Sequence, residues 1–107
     1  MTVKDIMKLC EAELVCGSPD REVRGCYVGD LLSWVMGRAR EGEVWITIMT
    51  NLNIVAVAVM EDVACVLLSE GCELPEETRA KAEGEGVCII RSPHSTYECA
   101  AALGKVL

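Results

Sequence analysis

The stretch EVWITIMTNLNIVAVAVM, from Glu43 to Met60, decides the fold of this chain. Its first part, Val44 to Met49, is β-branched, aromatic and almost entirely apolar, which is typical of a central strand covered on both faces. A polar turn from Thr50 to Asn53 follows, and the chain then continues apolar. We interpret the second apolar part as a buried helix, because a strand already precedes it and Thr50 or Asn51 can cap a helix. The stretch therefore predicts a strand, a polar turn and a helix at the centre of an α/β domain.

Apolar periodicity and turn residues predict eight further helices and strands on either side of this centre. Strands are predicted at residues 13–16, 23–28, 44–49, 64–69 and 87–90. Helices are predicted at residues 3–12, 31–40, 53–60, 75–84 and 95–107. The resulting order is α-β-β-α-β-α-β-α-β-α, in which strand-helix-strand units repeat. Such repetition predicts one α/β domain, residues 1–107, with a mostly parallel sheet of about five strands, right-handed crossovers and helices on both faces.

Local signals predict several helix ends and one strand pairing. Thr2 with Asp5 and Ser95 with Glu98 have the spacing of capping boxes, and Asp30 is placed to cap the second helix. That helix is expected to bury one apolar face, formed by Leu31, Leu32, Val35 and Met36. Because a short polar loop joins the first two strands, we expect them to pair as a hairpin or to lie side by side.

Composition and charge exclude several classes of function. The sequence lacks an apolar run of about 18 residues and an export signal, so a membrane protein is not expected and a cytoplasmic location is. Ten Lys and Arg stand against 17 Asp and Glu, a net charge of −7, and the basic residues form no patch. Aromatic side chains make up 4% of the chain. Nucleic acid is therefore not an expected partner, because phosphate binding needs clustered cations and single strands need stacking surfaces.

The seven cysteines do not have the spacing of a metal site or a disulfide framework. They include no C-x-x-C pair, and the one histidine, His94, is not grouped with them. Cys26, Cys65 and Cys88 lie inside apolar runs, where a reduced cysteine behaves as a small hydrophobic residue. We expect them to be structural; a metal or iron-sulfur site and a redox pair such as Cys10 with Cys16 remain alternatives.

The predicted topology gathers four polar loops at one edge of the sheet. In parallel α/β sheets, the loops that follow the strands meet at one edge, where helix N-termini present free N–H groups to anions. These loops contain hydroxyls, amides, one guanidinium and one imidazole, a set that suits a phosphate or a small polar molecule. The candidate ligand-binding residues are Asp30, Thr50, Asn51, Ser69, Glu70, Gly71, Arg91, Ser92, His94, Ser95 and Thr96. The alternative is that Asp30, Thr50, Ser95 and Thr96 only cap helices.

An enzyme is not expected from these residues, and no catalytic residue is assigned. His94 has Ser92 and Ser95 as close neighbours in sequence, but the members of a catalytic triad converge from separate elements. No Walker loop and no G-x-G-x-x-G motif is present. No metal or obligatory cofactor is predicted.

Several segments together resemble the DRTGG domain family. They are Asp20 to Gly25, Tyr27 to Met36, Gly42 to Thr47, Val66 to Gly71 with the PEE helix that follows, and Ile90 to Glu98. The resemblance covers the chain from about Glu13 to its C-terminus. DRTGG domains occur beside CBS modules in regulated pyrophosphatases and ahead of the catalytic part of some phosphotransacetylases. They resemble the N-terminal domain of HPr kinase/phosphorylase, which is similar to the nucleotide-binding N-terminal domain of some Mur ligases.

The resemblance implies a non-catalytic regulatory module that senses a nucleotide or another phosphate-containing ligand and acts as a homodimer. Any enzyme that it controls is then expected to be a separately encoded protein partner. Two other functions remain open at this stage. One is a structural or partner-binding subunit of a larger cytosolic, redox-linked complex, and the other is a small redox protein that uses its cysteines.

Overall fold

A computed structural model describes residues 1–107 and contains ten elements in the predicted order. The helices are α1 (Val3–Cys10), α2 (Leu32–Val35), α3 (Asn53–Glu61), α4 (Glu76–Gly84) and α5 (Thr96–Gly104). The strands are β1 (Glu13–Cys16), β2 (Gly25–Val28), β3 (Glu43–Thr47), β4 (Cys65–Leu68) and β5 (Ile89–Arg91). The central prediction is confirmed, since the stretch from Glu43 to Met60 forms β3, a turn and α3.

The five strands form one mixed, mostly parallel sheet in the order β1-β5-β4-β3-β2. Strands β2 to β5 are mutually parallel, and β1 runs antiparallel to β5. The predicted fold class is therefore confirmed. The predicted pairing of the first two strands is wrong, because β1 and β2 occupy opposite edges. The turn chemistry between these strands is local, whereas the position of β1 is set by its pairing with a strand about 75 residues later.

Each face of the sheet has its own apolar core. On one face, α2, α3 and α4 pack over Trp45, Val66, Leu68 and Ile89. On the other face, α1 and α5 cover Val44, Ile46, Leu67 and Ile90. The successive parallel strands add in one direction across the sheet, so right-handed crossovers place all three connecting helices on one face. The terminal helices then cover the second face, and helices lie on both faces as predicted.

Helix α2 is much shorter than predicted. It ends at Val35, because Gly37 adopts a φ of +86°, a left-handed conformation that cannot continue a right-handed helix. Of the expected buried face, Val35 is buried, whereas Leu31 and Met36 are 60% and 42% exposed. The predicted N-cap is also wrong, since Leu31 occupies that position and the Asp30 carboxylate bonds to β3 instead.

The two predicted capping boxes are confirmed. The Asp5 carboxylate accepts a bond from the Thr2 N–H at 2.9 Å, at the start of α1. At the start of α5, the Ser95 hydroxyl accepts from the Glu98 N–H at 3.1 Å, and the Glu98 carboxylate accepts from the Ser95 N–H at 3.0 Å. These bonds satisfy backbone N–H groups that a helix start otherwise leaves free. None of the five helices has the length and apolar character needed to cross a membrane.

Candidate ligand site at the carboxyl edge of the sheet

The four polar loops that follow β2, β3, β4 and β5 lie at one edge of the sheet, here called the carboxyl edge. Their common position follows from the parallel pairing of these strands. Because β1 is antiparallel to β5, its starting residue Glu13 also lies there, opposite Arg91. The carboxyl edge thus combines the predicted residues with acidic residues from the beginning of the chain.

The loops after β4 and β5 are tied together by hydrogen bonds. The Glu70 N–H donates to the His94 carbonyl at 2.7 Å, and the Gly71 N–H donates to the Ser92 carbonyl at 2.9 Å. The hydroxyl oxygens of Ser69 and Thr96 lie 2.6 Å apart. Most polar groups of these loops are therefore already bonded within the protein.

A carboxylate from the protein itself is bound at the start of α5. Glu70 Oε2 accepts a bond from the Thr96 N–H at 2.8 Å, where a bound phosphate would otherwise find a backbone donor. The pKa of Glu98 is lowered by its bonds to the backbone and hydroxyl of Ser95. The helix start thus favours negative charge, and the protein already supplies that charge.

Arg91 and His94 are both paired with carboxylates from the start of the chain. The guanidinium of Arg91 lies 2.6 Å from Glu13 Oε1, and His94 Nε2 lies 2.7 Å from Glu11 Oε1. Neither glutamate was a candidate residue from sequence. Glu11 follows α1 and Glu13 is the first residue of β1, whose place next to β5 depends on long-range strand pairing. The only sequence signal that identifies them is their position beside β1, and it becomes useful once the strand order is known.

The surroundings of Ser92 indicate a structural role. Its side chain is fully buried, and the hydroxyl donates to the Cys10 carbonyl at 2.6 Å and accepts from the His94 N–H at 3.1 Å. Together with Ser69, Glu70, Gly71, Arg91, His94, Ser95 and Thr96, it belongs to a closed half of the carboxyl edge. In this half, the candidate residues bond to one another or to neighbouring protein groups.

The open half of the carboxyl edge is the turn after β3. The predicted cap at Thr50 or Asn51 is wrong, because Leu52 occupies the N-cap position; Asn51 Oδ1 nevertheless accepts from the Asn53 N–H at 3.0 Å and orders the start of α3. The backbone N–H groups of Thr50, Asn51 and Leu52 donate to no other protein group, and neither does the Thr50 hydroxyl. These three donors precede the nine-residue helix α3, whose own first N–H groups at Asn53 and Ile54 bond to Asn51, and they can bind an anion near the positive end of the helix.

Asp30 lies in the loop after β2 and contacts the end of β3, next to the open turn. Its Oδ1 accepts from the Thr47 hydroxyl at 2.8 Å and from the Ile48 N–H at 2.9 Å. The structure therefore brings Asp30 close to the strand that ends at the open turn. It keeps Asp30 and the open turn apart from the closed half, which follows β4 and β5.

The carboxyl edge has no deep crevice, and none of the three cavities is lined by any of the eleven candidate residues. In open α/β sheets the crevice forms where the strand order reverses. Here β2 to β5 are added in one direction, and no reversal occurs among them. A cavity of about 290 Å³ lies instead at the opposite edge, beside Arg21 and Asp62.

All seven cysteines are free thiols, and five are buried. Burial raises the pKa of Cys10, Cys26 and Cys88 to about 12, and it raises the pKa of the fully buried Cys65 well above the usual value of 9.0. A thiol reacts as its thiolate, so these environments favour inert, structural cysteines. No group of three His, Cys, Asp or Glu side chains is arranged to hold a metal ion.

Comparisons with known proteins identify the family to which this architecture corresponds. The family model described as the DRTGG domain matches residues 5–106. No curated protein matches the sequence significantly. Seven chains among solved structures match the fold. One is the crystal structure of the CBS and DRTGG domains of the regulatory region of Clostridium perfringens pyrophosphatase, complexed with the activator diadenosine tetraphosphate.

The likeness to that structure has a TM-score of 0.74 at 16% sequence identity, and it covers 95% of this chain. The match spans 45% of the pyrophosphatase regulatory chain, which contains CBS domains as well. At this identity the likeness establishes the shared fold.

Proposed function

The chain belongs to the DRTGG domain family, and we propose that it is a regulatory module that senses a phosphate-containing small molecule, such as a nucleotide, without catalysing a reaction. The ligand binds at the carboxyl edge of the sheet, and the open turn from Thr50 to Leu52 is its main contact. The module acts in the cytoplasm as a homodimer and controls a protein partner.

The observation that carries this proposal is the set of three free N–H groups at Thr50, Asn51 and Leu52. At the start of α5, by contrast, the N–H groups of Ser95, Thr96 and Glu98 bond to the carboxylates of Glu98 and Glu70 and to the Ser95 hydroxyl, and only the Tyr97 N–H donates to no protein group. A phosphate at the open turn would accept these three bonds and lie at the positive end of α3. The free hydroxyl of Thr50 adds a fourth donor.

The chemical class of the ligand is suggested by the family. The regulatory region of the Clostridium perfringens pyrophosphatase was crystallised with a nucleotide activator. That region also contains CBS domains, so nucleotide binding by the present chain is part of our proposal.

We propose that the module is not catalytic, because the side chains that could act as nucleophile and base are bonded to other groups. The Ser92 hydroxyl donates to the Cys10 carbonyl, and the His94 ring bonds to Glu11. A nucleophile requires a base within hydrogen-bond reach, and these two side chains share no such bond. The same groups instead join the closed half of the edge into a fixed framework beside the open turn.

The test is a thermal unfolding experiment with a panel of ligands at millimolar concentration. We expect ATP, ADP or diadenosine tetraphosphate to raise Tm, whereas adenosine, which lacks phosphate, does not. A ligand present at ten times its Kd stabilises by about 1.4 kcal/mol, which corresponds to roughly 5 °C or more for a domain of this size.

The double variant Thr50→Ala, Asn51→Ala should lose most of this shift, because it removes the hydroxyl and the side chain that orders the turn. The matched control is Ser18→Ala, which changes an exposed residue at the opposite edge and should keep the full shift. If no phosphate-containing compound moves Tm, the ligand proposal is wrong, and the partner-binding subunit becomes the better explanation.

A further inference from the structure

We infer that the outer side of α3 is the surface on which a second copy of this chain docks, an inference that rests on the homodimer in the proposed function. The surface is a stripe of Leu52, Ala56, Val59 and Met60, with the neighbouring groove between α3 and α4. We call it the α3 stripe. It lies on the face formed by the connecting helices and shares one residue with the open turn, since the Leu52 side chain belongs to the stripe and the Leu52 N–H group to the turn.

The α3 stripe has the spacing of a packed helix face but no partner within the chain. Positions 52, 56, 59 and 60 follow the i, i+4, i+7, i+8 pattern of a buried apolar surface. Leu52, Val59 and Met60 are nevertheless 41%, 49% and 61% exposed. The opposite side of α3, which carries Ile54, Val55, Val57 and Ala58, already forms the core. The helix is therefore apolar on the side that faces solvent as well.

The groove beside the stripe has the size and lining of a side-chain receptor. It encloses about 430 Å³ and is bounded by Val55 and Ala56 on one wall and by Lys81 and Glu85 of α4 on the other. A groove of this volume can receive the large apolar side chains of a docked helix, such as Leu or Met. Its apolar floor and charged rim are the arrangement found in protein interfaces.

The lack of charge along the α3 stripe suits the docking of a second copy of this acidic chain. Two copies each carrying −7 repel where their acidic faces meet, and like charges opposed in an interface cost several kcal/mol. From Leu52 to Met60, by contrast, no residue is charged. At the rim, Lys81 Nζ lies 3.3 Å from Glu85 Oε1, and the two charges cancel. Two-fold symmetry lets Lys81 of each copy face Glu85 of the other.

The geometry of the stripe is self-complementary. A two-fold interface brings identical surfaces together, so positions equally far from the axis oppose each other. With α3 antiparallel to its copy, Leu52 lies opposite Met60 of the second copy, and Ala56 lies at the axis. The small side chain of Ala56 allows the two helices to approach closely, while the larger side chains at both ends fill the flanking grooves.

A two-fold interface of stable size requires a defined share of the surface of this chain. A stable interface buries about 800 Å² on each partner, which is about a seventh of the 5520 Å² surface of this chain. The stripe supplies the apolar centre, and flanking residues of α2 and α4 supply the rest. On the α2 side, Met36 is 42% exposed, and Trp34 is 57% exposed under the Arg38 guanidinium, which lies 4.3 Å from its ring.

The experiment measures the mass of the full chain by light scattering after size exclusion, over a range of concentrations. We expect a dimer whose dissociation constant rises at least about tenfold in Met60→Glu, because the variant places two carboxylates in an apolar interface. The matched control is Tyr97→Glu, which changes a side chain that is 80% exposed on the α5 side and should leave the dimer intact. Circular dichroism and Tm measurements serve to check that both variants are folded.

A second measurement tests the register of the two copies. Ala56→Cys should be cross-linked to its own copy by a short bismaleimide, whereas the parent chain and the variant Lys8→Cys on α1 should not be cross-linked. Cross-linking at position 56 with loss of the dimer in Met60→Glu supports the inference.

Two outcomes overturn it, and they are distinguishable. A dimer that persists in Met60→Glu and is not cross-linked through position 56 places the interface elsewhere and leaves the proposed homodimer intact. A parent chain that remains a monomer at every concentration overturns both the interface and the homodimer. The α3 stripe would then be the docking surface of a different protein.

Discussion

The Thr47 hydroxyl donates a hydrogen bond to Asp30 Oδ1 across 2.8 Å, and this bond joins the end of β3 to the turn that leaves β2. The same oxygen accepts the Ile48 N–H at 2.9 Å. Thr47 is buried, so its hydroxyl has no access to water as a substitute partner. One carboxylate therefore fixes the two neighbouring strand ends that border the open turn.

We predict that Asp30→Ala lowers the free energy of unfolding by about 1–3 kcal/mol, because it leaves the buried Thr47 hydroxyl and the Ile48 N–H without their acceptor. Asp30→Asn should cost less, since its side-chain carbonyl can accept the same bonds. Urea unfolding measures both. Asp20→Ala serves as the control, because Asp20 is an exposed acid whose loss should change stability much less. Equal losses in Asp30→Ala and Asp20→Ala would contradict this account of Asp30.

A matched pair of glycines tests the close approach of the segment after β1 to the segment before β5. Gly17 and Gly37 have similar φ values of +82° and +86°, so an alanine is strained by its backbone at either position. Only at Gly17 would the new Cβ also meet backbone, at 2.5 Å from Cys88 Cα. We expect Gly37→Ala to cost about 1–2 kcal/mol and Gly17→Ala to cost about 1–3 kcal/mol more. Thermal and urea unfolding provide the comparison, and similar costs would show that the contact at Gly17 relaxes freely.

The buried cysteines predict a loss of stability at alkaline pH. An unfolded thiol releases its proton above its ordinary pKa of 9.0, whereas Cys26 and Cys88 keep theirs until about pH 12 because burial raises their pKa. Between these values the unfolded chain binds fewer protons than the folded chain, so the free energy of unfolding falls as pH rises. Below pH 9 these thiols are protonated in both the folded and the unfolded chain, and their full contribution to stability is present.

Urea unfolding at pH 7, 9 and 10.5 measures this slope. The double variant Cys26→Ala, Cys88→Ala should show a shallower decline between pH 9 and 10.5 than the parent chain, whatever its stability at pH 7. An unchanged slope would mean that other groups cause the alkaline loss.

Ser92 offers a test of the framework on the closed half of the carboxyl edge. We predict that Ser92→Ala lowers the free energy of unfolding by about 1–3 kcal/mol, because the Cys10 carbonyl and the His94 N–H both lose their partner in a buried environment. Ser18→Ala is the control, since its exposed hydroxyl can be replaced by water. Hydrogen exchange at His94 should accelerate in Ser92→Ala and not in Ser18→Ala. Unchanged stability and exchange would show that Ser92 is not part of this framework.

The order of the elements was predictable because its signals are local. The capping residues at Thr2 and Ser95, the run of β-branched residues in β3 and the polar turn after it each act within a few residues of themselves. The place of β1 in the sheet was not predictable from turn chemistry, because it is set by pairing with β5. The length of α2 was overestimated because its apolar spacing continues past Val35, while Gly37 takes a conformation that stops the helix.

The gathering of four loops at one edge could be predicted from the sequence, whereas the bonding within those loops could not. Parallel strands place the four loops at one edge, and the sequence pattern was sufficient for that. The division into a closed and an open half depends on the acids Glu11 and Glu13, which pair with His94 and Arg91 across about 80 residues of sequence. What remained free after these pairings was the turn at Thr50 and Asn51.

The antiparallel pairing of β1 with β5 also sets the timing of assembly. Strands β2, β3, β4 and β5 can join the sheet one after another in the order of their synthesis, because each one neighbours its predecessor. Strand β1 is made first but finds its only neighbour in the last strand to be made. During translation, the first sixteen residues must therefore wait for residues 89–91 to emerge from the ribosome before β1 can complete the sheet.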